Sequence, residues 1–392
     1  MKKIGIICEC NPFHKGHEYL MRAAKEAGGD LVVCLTSGYF TERGEPAIFD
    51  PYTRAEAMLA HGADLVLELP FPYSAASAEF FASAGVEIFA KLGIDELWFG
   101  SERGEIAPLV RFAKAANDEA FQASYAKSAK SAAGSAKAYF DLLREKVGDE
   151  RDLGSNDILA IQYLCAMETC GAAFVPKTIR RIGNSHDEEG LADFSSASAL
   201  RKEIKAGKID DLAPYLPAGS VPILQRAIAE GIAPADWKHA ESAILWHLRS
   251  MKESEIRGIA ELSGGLGDRL KKAANKANSL EELLLLAATK KYPVSRIRRG
   301  ILFAMTGTTP DDLRSSVSYL RLFGATDAGR AYLSELRKSD AIPIVTKQKD
   351  LVHGTRQEAL ETAALSLYGL CLPKQKTPSF FLGLPPKVEK GR

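Results

Sequence analysis

The chain has 392 residues, with 51 lysine and arginine residues against 50 aspartate and glutamate residues. This length predicts two domains, each with its own core, and the balanced charge excludes nucleic-acid binding through overall charge, so any such surface must be local. No apolar run reaches the roughly 18 residues of a membrane span and no signal-peptide pattern precedes the first apolar segment, so we expect a cytoplasmic protein.

The first half alternates short apolar segments with segments of helical period. The predicted strands are residues 4–8, 31–35, 65–69, 96–100 and 172–176, and the predicted helices are residues 17–27, 52–61 and 74–92. Continuous apolar strands separated by helices indicate parallel βαβ crossovers. We therefore predict an α/β fold with a Rossmann-like, doubly wound parallel sheet. Residues 115–146 are rich in Ala, Ser and Lys and predict a helical excursion or a mobile lid.

Strand signals nearly vanish after about residue 206. Ser279 and Glu282 form a capping box that predicts a helix, and Thr309-Pro310-Asp311 predicts a helix start before residues 313–322. One short extended piece is expected at residues 342–346, and the residues from Pro373 onward resemble a loose tail. We therefore assign residues 1–206 to a nucleotide-binding domain and residues 207–392 to a mostly helical domain.

The stretch "ECNPFHKGHEY", residues 9–19, follows the first predicted strand directly. A tight turn there and a helix beginning near Gly16 would place backbone N–H groups and a positive helix end at the carboxyl edge of the sheet, where phosphate binds well. Gly16 would let phosphates approach the backbone, and His14 and His17 could donate ring N–H groups to them. Composition alone would produce such an H-x-G-H pattern roughly 0.01 times in this chain.

Two other interpretations of this stretch remain open. The histidines could simply cap a helix and face solvent. They could instead bind zinc together with Cys8 and Cys10, although this spacing is tighter than that of zinc fingers. Alternation along a strand would place both thiols on one face, so packing also explains them. The six cysteines are sparse, which favours reduced core thiols over disulfides: Cys8, Cys10, Cys34, Cys165, Cys170 and Cys371.

The sequence resembles the HxGH nucleotidyltransferase superfamily and, more narrowly, the bacterial tRNA(Met) cytidine acetate ligases. The resemblance spans nearly the whole chain. It is carried by "NPFHKGH" (11–17), "RGEPAIFDPYTRAEAML" (43–59), "GADLVLELPFPYSAASAEFFA" (62–82), "LWFGSE" (97–102), "SNDILAIQYL" (155–164), "IRRIG" (179–183), "FSSASALR" (194–201), "TKKYPVSRIRR" (289–299) and "YLRLFGATDAGRAYL" (319–333).

The resemblance implies an ATP-dependent ligase that forms acetyl-adenylate and transfers acetyl to the wobble cytidine of elongator methionine tRNA, giving N(4)-acetylcytidine. It implies His14 and His17 as catalytic residues and ATP bound with Mg²⁺, with no metal ligand assigned in the protein. The residues that it implies for ATP are Ile7, Cys8, Glu9, Cys10, Asn11, Pro12, Phe13, His14, Lys15, Gly16, His17, Glu18, Tyr19, Leu20, Gly100, Ser101, Asn156, Arg181, Ile182, Ser195 and Arg201.

The chain departs from the family pattern at four positions. Lys15 and Tyr39 each stand where the family commonly has Asn, and Ser155 and Asp157 alter a PNN motif. Tyr39 bears most on the substrate, because its loop is expected to border the nucleotide or the acyl group.

The residue types suit adenylyl transfer. Acetate is ionised at pH 7, so its attack on phosphorus needs no general base. The step needs donors that stabilise charge on the α-phosphorus and pyrophosphate, and His14, His17, Lys15, Arg181 and Arg201 are all donors. Each arginine has a structural alternative: Arg180 and Arg181 at a solvated edge, Arg201 on a helix surface, and Arg54 as an ordinary salt-bridge partner.

A local basic segment is the candidate RNA surface. Residues 271–300 contain eight basic residues and two acidic ones. Within it, the residues predicted to bind tRNA are Lys290, Lys291, Tyr292, Arg296, Arg298 and Arg299. Cations would contact phosphates and Tyr292 would stack on a base, although a solvated helix face gives the same pattern.

Three other functions were weighed. A small-molecule adenylyltransferase acting on a phosphopantetheine or nicotinate-type phosphate would leave the helical half unexplained. A class I aminoacyl-tRNA synthetase would need a lysine-rich KMSKS motif, which the chain lacks. A non-catalytic ATP- or tRNA-binding module would be expected to have an altered HxGH motif, and here both histidines are intact.

Overall fold

The computed structural model describes residues 1–129, 136–181, 196–339 and 341–390. Its strands are β1 (Lys3–Cys8), β2 (Leu31–Ser37), β3 (Leu65–Leu69), β4 (Glu96–Ser101), β5 (Val175–Arg180), β6 (Leu320–Thr326), β7 (Ile344–Val345) and β8 (Lys387–Glu389). Its helices are α1 (Lys15–Glu26), α2 (Pro51–Ala60), α3 (Ala78–Leu92), α4 (Ile106–Asn117), α5 (Glu119–Ala129), α6 (Ala136–Val147), α7 (Ser155–Cys170), α8 (Ala197–Lys205), α9 (Ser220–Ala229), α10 (Glu241–Ser250), α11 (Glu253–Arg257), α12 (Leu266–Ala274), α13 (Leu280–Ala287), α14 (Val294–Thr306), α15 (Asp327–Leu336), α16 (Arg356–Leu370) and α17 (Pro378–Leu382).

The strands form one sheet in the order β5-β4-β1-β2-β3-β6-β7, with β8 paired to β6. Strands β1 to β5 pair in parallel, whereas β6 runs antiparallel to β3. The chain moves outward from β1 in both directions, so the carboxyl end of β1 lies at a topological switch point, where open α/β sheets bind their ligands.

Helices cover both faces of the sheet, as continuous apolar strands require. In β2, Leu31, Val33 and Leu35 belong to the core that includes α3 and α7. Val32 and Cys34 belong to the opposite core, with residues of α1 and α2. The predicted doubly wound, Rossmann-like sheet is confirmed.

Most predicted elements of the first half lie within three residues of the observed ones. The last strand is displaced, at 175–180 rather than 172–176, because Gly171 ends α7 in the left-handed region (φ +65°) and residues 172–174 form the connection. The segment 115–146, predicted as a helical excursion or a mobile lid, contributes to α5 and α6, and both helices pack beside α4. The core of the first half therefore follows from its hydrophobic pattern.

The second half of the chain contributes strands to the same sheet, although its sequence predicts a mostly helical domain. Residues 320–326 form β6, all buried, and its first three residues belong to the segment 313–322 that is predicted to be helical. Thr309 binds the Asp312 carboxylate through its N–H (2.7 Å), but this cap begins only a 3-10 turn, Asp312–Arg314. The buried place beside β3 outweighs that local helix signal.

Three other expectations for the second half can be compared with the structure. The cap at Ser279 is confirmed, since its hydroxyl accepts from Glu282 N–H (3.1 Å), and β7 lies within the extended piece expected at 342–346. The loose tail is wrong: Phe381 on α17 is buried and β8 pairs with β6. The boundary at residue 206 stays a prediction, but 207–392 is not a purely helical unit.

Arg54 on α2 ties the ends of β1 and β2 together. Its side chain is fully buried and its guanidinium donates to backbone carbonyls rather than forming the expected ordinary salt bridge. The acceptors are the carbonyls of Phe49 (3.0 Å), Ser37 (2.8 Å), Gly38 and Glu9, together with the Thr36 hydroxyl (3.2 Å). These contacts close the loops that follow both strands, where the switch-point crevice lies.

None of the helices in the described ranges is long and apolar enough to cross a bilayer.

We predict that Arg54→Met lowers the free energy of unfolding by about 3–5 kcal/mol, because several buried carbonyls lose their donor at about 1–3 kcal/mol each. Urea unfolding followed by tryptophan fluorescence measures the change. Arg22→Met is the control, because Arg22 is largely exposed, pairs with Glu26 (3.7 Å) and lies over the Tyr19 ring (5.9 Å), so a change within about 0.5 kcal/mol is expected. Equal effects of the two substitutions would contradict this role.

Candidate active site

A cleft of about 380 Å³ opens at the carboxyl end of β1. This size falls within the range of small-molecule sites. Its walls come from the ends of β1 and β4, the start of α1, the loop after β2, and α3, α7 and α8. The lining residues are Ile7, Cys8, Glu9, Cys10, Asn11, His14, Gly16, His17, Tyr19, Leu20, Thr41, Glu42, Arg43, Glu45, Ala78, Phe81, Gly100, Ser155, Asn156, Ile158, Leu159, Tyr163, Ile179, Arg181, Ala197 and Arg201.

The two histidines form a reciprocal cap at the start of α1. The Gly16 N–H donates to His14 Nδ1 (3.0 Å), and the His14 N–H donates to His17 Nδ1 (3.3 Å). The rings lie close together, with centroids 4.0 Å apart. Because both Nδ1 atoms accept, each neutral imidazole carries its proton on Nε2, on the side of the ring away from the helix backbone. The cap therefore prepares two donors for a ligand in the cleft.

This arrangement changes the expected part of Gly16. The sequence predicts that Gly16 lets phosphates approach the backbone, but the Gly16 N–H already donates to His14 Nδ1. A Cβ atom at Gly16 would lie 2.9 Å from His14 Cε1. The glycine therefore makes room for the His14 imidazole. The ring N–H groups, rather than the Gly16 N–H, are then the donors for a ligand in the cleft.

Both imidazoles are neutral when the cleft holds no anion. Burial, together with the nearby charges of Arg181 and Arg201, lowers the pKa of His14 to about 3. Burial, His14 and Arg181 likewise lower the pKa of His17. An anionic ligand would oppose these positive charges, so the pKa of both rings should rise on binding.

Arg181 and Arg201, two of the three arginines that line the cleft, place positive charge beside the imidazole of His14. Arg201 lies on α8, and its guanidinium donates to the Asn11 carbonyl (2.9 Å). The side chain of Ser196 caps this helix by accepting from the Ala199 N–H (3.3 Å). The side chain of Arg181 lies beside Gly100, where an added Cβ atom would be 3.1 Å from Arg181 Cγ. Arg201 lines the cleft rather than lying on an outer helix surface. Arg181 also lines the cleft, while its side chain is solvent-exposed, as the solvated-edge alternative expects.

The structure gathers most of the residues predicted for ATP. Those that line the cleft are Ile7, Cys8, Glu9, Cys10, Asn11, His14, Gly16, His17, Tyr19, Leu20, Gly100, Asn156, Arg181 and Arg201. Those that lie away from its lining are Pro12, Phe13, Lys15, Glu18 and Ser101. Phe13 is buried in the core below α1, and Ser101 is buried and accepts from the Gly104 N–H (2.8 Å). Ile182 and Ser195 lie outside the described residues.

Sequence reasoning missed the loop after β2. Thr41, Glu42, Arg43 and Glu45 line the cleft, and the Glu42 N–H donates to Glu9 Oε1 (2.6 Å). The signal was available, because the RGEP stretch at 43–46 belongs to the second motif of the resemblance. Missed on α7 were Ser155, Ile158, Leu159 and Tyr163.

The loop that contains Tyr39 borders the cleft as expected, but Tyr39 itself does not line it. Tyr39 is buried outside the cleft lining and packs edge-on against Tyr368 and Phe381, with centroids 5.0 and 5.1 Å away. A residue directly after β2 points into the core between the sheet and α16, and only the residues from Thr41 onward reach the cleft. Asp157 is structural, with its carboxylate accepting from the Glu102 N–H (2.9 Å).

The thiols do not form the zinc site weighed above. Cys10 is buried in the core next to Phe13 and Cys34, as packing predicted, and all six cysteines are unpaired. In the ranges that the structure describes, no group of three or more His, Cys, Asp or Glu residues is arranged to hold a metal ion.

The basic segment divides into an exposed part and a paired part. Lys290 and Lys291 are exposed. Tyr292 is buried and donates its hydroxyl to the Gly264 carbonyl, which leaves its ring little free surface for the base stacking that remains a prediction. Arg296 and Arg299 pair with Glu261 (3.5 and 2.9 Å). Arg298 pairs with Glu45, and Arg299 also pairs with Glu42 (3.1 Å).

A nucleotide-sized cleft at the switch point, with an HxGH cap and two arginines, defines a nucleotidyltransferase. The model of the family described as HIGH Nucleotidyl Transferase matches residues 1–380, so the chain belongs to that family.

Within it, the chain belongs to the tRNA(Met) cytidine acetate ligase family. It is 35% identical to the tRNA(Met) cytidine acetate ligase of Acetivibrio thermocellus, covering 97% of both chains. It is 32% identical to that of Anoxybacillus flavithermus, covering 95% of this chain and 96% of the relative. Thermotoga maritima TmcAL is 28% identical and covers 100% of both chains, with a TM-score of 0.91 for its apo form and 0.87 for the form bound with alpha-thio ATP.

We predict that His14 stays neutral and protonated on Nε2 from pH 8 down to pH 5 in the free protein, since its pKa is about 3. His17, whose pKa burial lowers well below the usual value, should likewise be neutral and protonated on Nε2 at pH 7. Nitrogen NMR of the imidazoles measures the tautomer directly, with His14→Gln and His17→Gln assigning the signals. A non-hydrolysable ATP analogue should raise both pKa values. Titration of the free rings near pH 6.5, the usual value for histidine, would contradict the prediction.

Proposed function

We propose that this protein activates acetate with ATP as acetyl-adenylate and transfers the acetyl group to the wobble cytidine of elongator methionine tRNA, giving N(4)-acetylcytidine. The observation that carries the proposal is the imidazole pair, held as Nε2–H donors beside two arginines in the switch-point cleft. The names of the relatives and the ATP-analogue complex of the Thermotoga protein support it. The predicted cytoplasmic location agrees with the need for ATP and tRNA.

The donors suit the charge that develops in adenylate formation. An acetate oxygen attacks the α-phosphorus and pyrophosphate leaves, so negative charge grows on phosphate oxygens. His14 and His17 would donate from Nε2, while Arg181 and Arg201 would oppose the charge of the phosphates. Mg²⁺ would come bound to the nucleotide, where it would help to neutralise the charge of the phosphates.

The small-molecule adenylyltransferase alternative is less favoured. In this protein residues after 206 complete the sheet through β6 and hold the loop at 41–45 through α14. The second half is thus part of the site's construction, which a small-substrate enzyme of the first half alone would not need.

The activation step predicts pyrophosphate exchange. Labelled pyrophosphate should enter ATP when acetate is present and should not do so with a phosphorylated cofactor precursor. His14→Ala and His17→Ala should each lower the exchange rate by about 10²- to 10³-fold, the usual loss when one aimed donor is removed. His353→Ala is the matched control, because His353 is exposed and contacts Glu358 on α16 (2.8 Å). Exchange without acetate would contradict the proposal, and no exchange with any acid would favour the non-catalytic module.

The transfer step predicts a tRNA surface at Lys290 and Lys291. The double substitution to alanine should weaken tRNA binding and reduce the slope of log affinity against log salt by about one to two units, because up to two phosphate contacts are lost. Acetate-dependent exchange should keep its wild-type rate. Arg111 and Lys114, exposed on α4, provide a charge-matched double-alanine control. An unchanged salt slope would place the tRNA surface elsewhere.

A further inference from the structure

Glu9 stands at the carboxyl end of β1, where the chain enters the cleft. Its backbone carbonyl accepts from Arg54 and from the Thr36 hydroxyl (3.3 Å). The next residue, Cys10, has a φ of +49°, a conformation that is uncommon for a residue with a side chain. The backbone at Glu9 is therefore held firmly, and its side chain lines the cleft.

The Glu9 carboxylate differs from the two other glutamates in the cleft lining. Glu42 pairs with Arg299 (3.1 Å) and Glu45 pairs with Arg298. Glu9 instead accepts a backbone N–H, that of Glu42 (2.6 Å). This bond aims the carboxylate toward the loop after β2, and among the described residues Glu9 makes no direct ion pair of the kind that Glu42 and Glu45 make.

Titratable groups from three elements face Glu9. Glu42 and Arg43 come from the loop after β2, Arg201 from α8 and Tyr163 from α7. Burial and the negative charge of Glu42 raise the pKa of Glu9 to about 7, against the opposing effects of Arg201, Arg43 and the Glu42 N–H. A carboxylate with such a pKa can take up a proton near neutral pH.

The same side of the cleft is joined to α14, which directly follows the loop that carries Lys290 and Lys291. Arg299 bonds both the carboxylate and the carbonyl of Glu42 (3.1 and 3.3 Å). Gly44 lies against the α14 backbone, where an added Cβ atom would be 2.4 Å from Arg299 N, and Trp237 donates to its carbonyl (3.0 Å). A substrate that approaches from α14 would therefore meet the wall of the cleft that carries Glu9.

The proposed transfer step needs a proton acceptor that the activation step does not need. The exocyclic amine of cytidine must lose a proton when it forms an amide. His14 and His17 are poor acceptors here, because both Nδ1 lone pairs already accept backbone N–H groups, and arginine remains protonated.

We propose that the Glu9 carboxylate accepts the proton from the cytidine amine during acetyl transfer. The amine nitrogen forms a bond to the acetyl carbonyl carbon, the bond between that carbon and the phosphate oxygen of acetyl-adenylate breaks, and AMP leaves as an anion. One amine proton passes to Glu9. This role rests on the proposed function, and it makes Glu42 and Arg299 positioning residues for Glu9.

Glu9→Gln tests the role by separating the two half-reactions. The amide oxygen can still accept from the Glu42 N–H but cannot take up a proton. Single-turnover transfer from acetyl-adenylate to tRNA should fall by about 10²- to 10⁴-fold, the usual contribution of a general base. Acetate-dependent exchange should fall by a far smaller factor, so the ratio of the two rates is the measured quantity.

The pH profile gives a second measurement. The acceptor must be ionised, so wild-type transfer should rise with pH and level off above an inflection near 7, the pKa of Glu9. Glu9→Gln should lose this inflection. Glu26→Gln is the control, because Glu26 is exposed on α1 and pairs with the exposed Arg22, and it should retain wild-type rates and the inflection.

Two outcomes would overturn the role of Glu9. Equal losses of exchange and transfer in Glu9→Gln would mean that the carboxylate serves ATP or acetate activation. An unchanged transfer rate would mean that it only anchors the loop. Failure of wild-type protein to exchange pyrophosphate with acetate would instead remove the proposed function itself, before Glu9 is tested.

Discussion

The cap that joins His14 and His17 to the first turn of α1 is the interaction on which the site depends. A helix begins with backbone N–H groups that have no partner inside the helix. Here imidazole nitrogens accept from the His14 and Gly16 N–H groups. The same two hydrogen bonds that begin the helix fix the tautomer of both rings. Formation of the helix start therefore also sets the two Nε2–H groups that can donate to a phosphate.

The cap is useful because of where the sheet places it. The order of the strands puts the end of β1 at the switch point, and the fully buried Arg54 closes the loops after β1 and β2 around it. Arg181 after β5 and Arg201 on α8 reach the same crevice from separate elements. Parallel strands converge their carboxyl ends on one edge, which is why residues nearly two hundred positions apart share one cleft.

The second half of the chain helps to build the first. On β6, Arg321 is buried between Glu68 of β3 (3.6 Å) and Glu361 of α16 (3.5 Å). Burial, together with Glu361, raises the pKa of Glu68 to about 8, while Arg321 opposes this rise. On α14, Arg298 and Arg299 hold the loop at 41–45. Local charge runs in the sequence looked like an RNA surface, but several of those arginines serve these internal pairs.

The doubly wound sheet follows from the sequence alone, because buried strands such as LVVCL and LVLEL are recognised by their own composition. The sequence also places a helix start beside His14 and His17, but it leaves helix capping and phosphate donation as separate interpretations, and the reciprocal cap is seen only in the structure. Only the tertiary structure decided that residues 320–326 form a strand, that Tyr292 is buried and that Glu9 bonds to the loop after β2. These three features depend on contacts with residues that are distant in the sequence. Burial in those contacts outweighs local propensity, so short-range sequence patterns do not predict them.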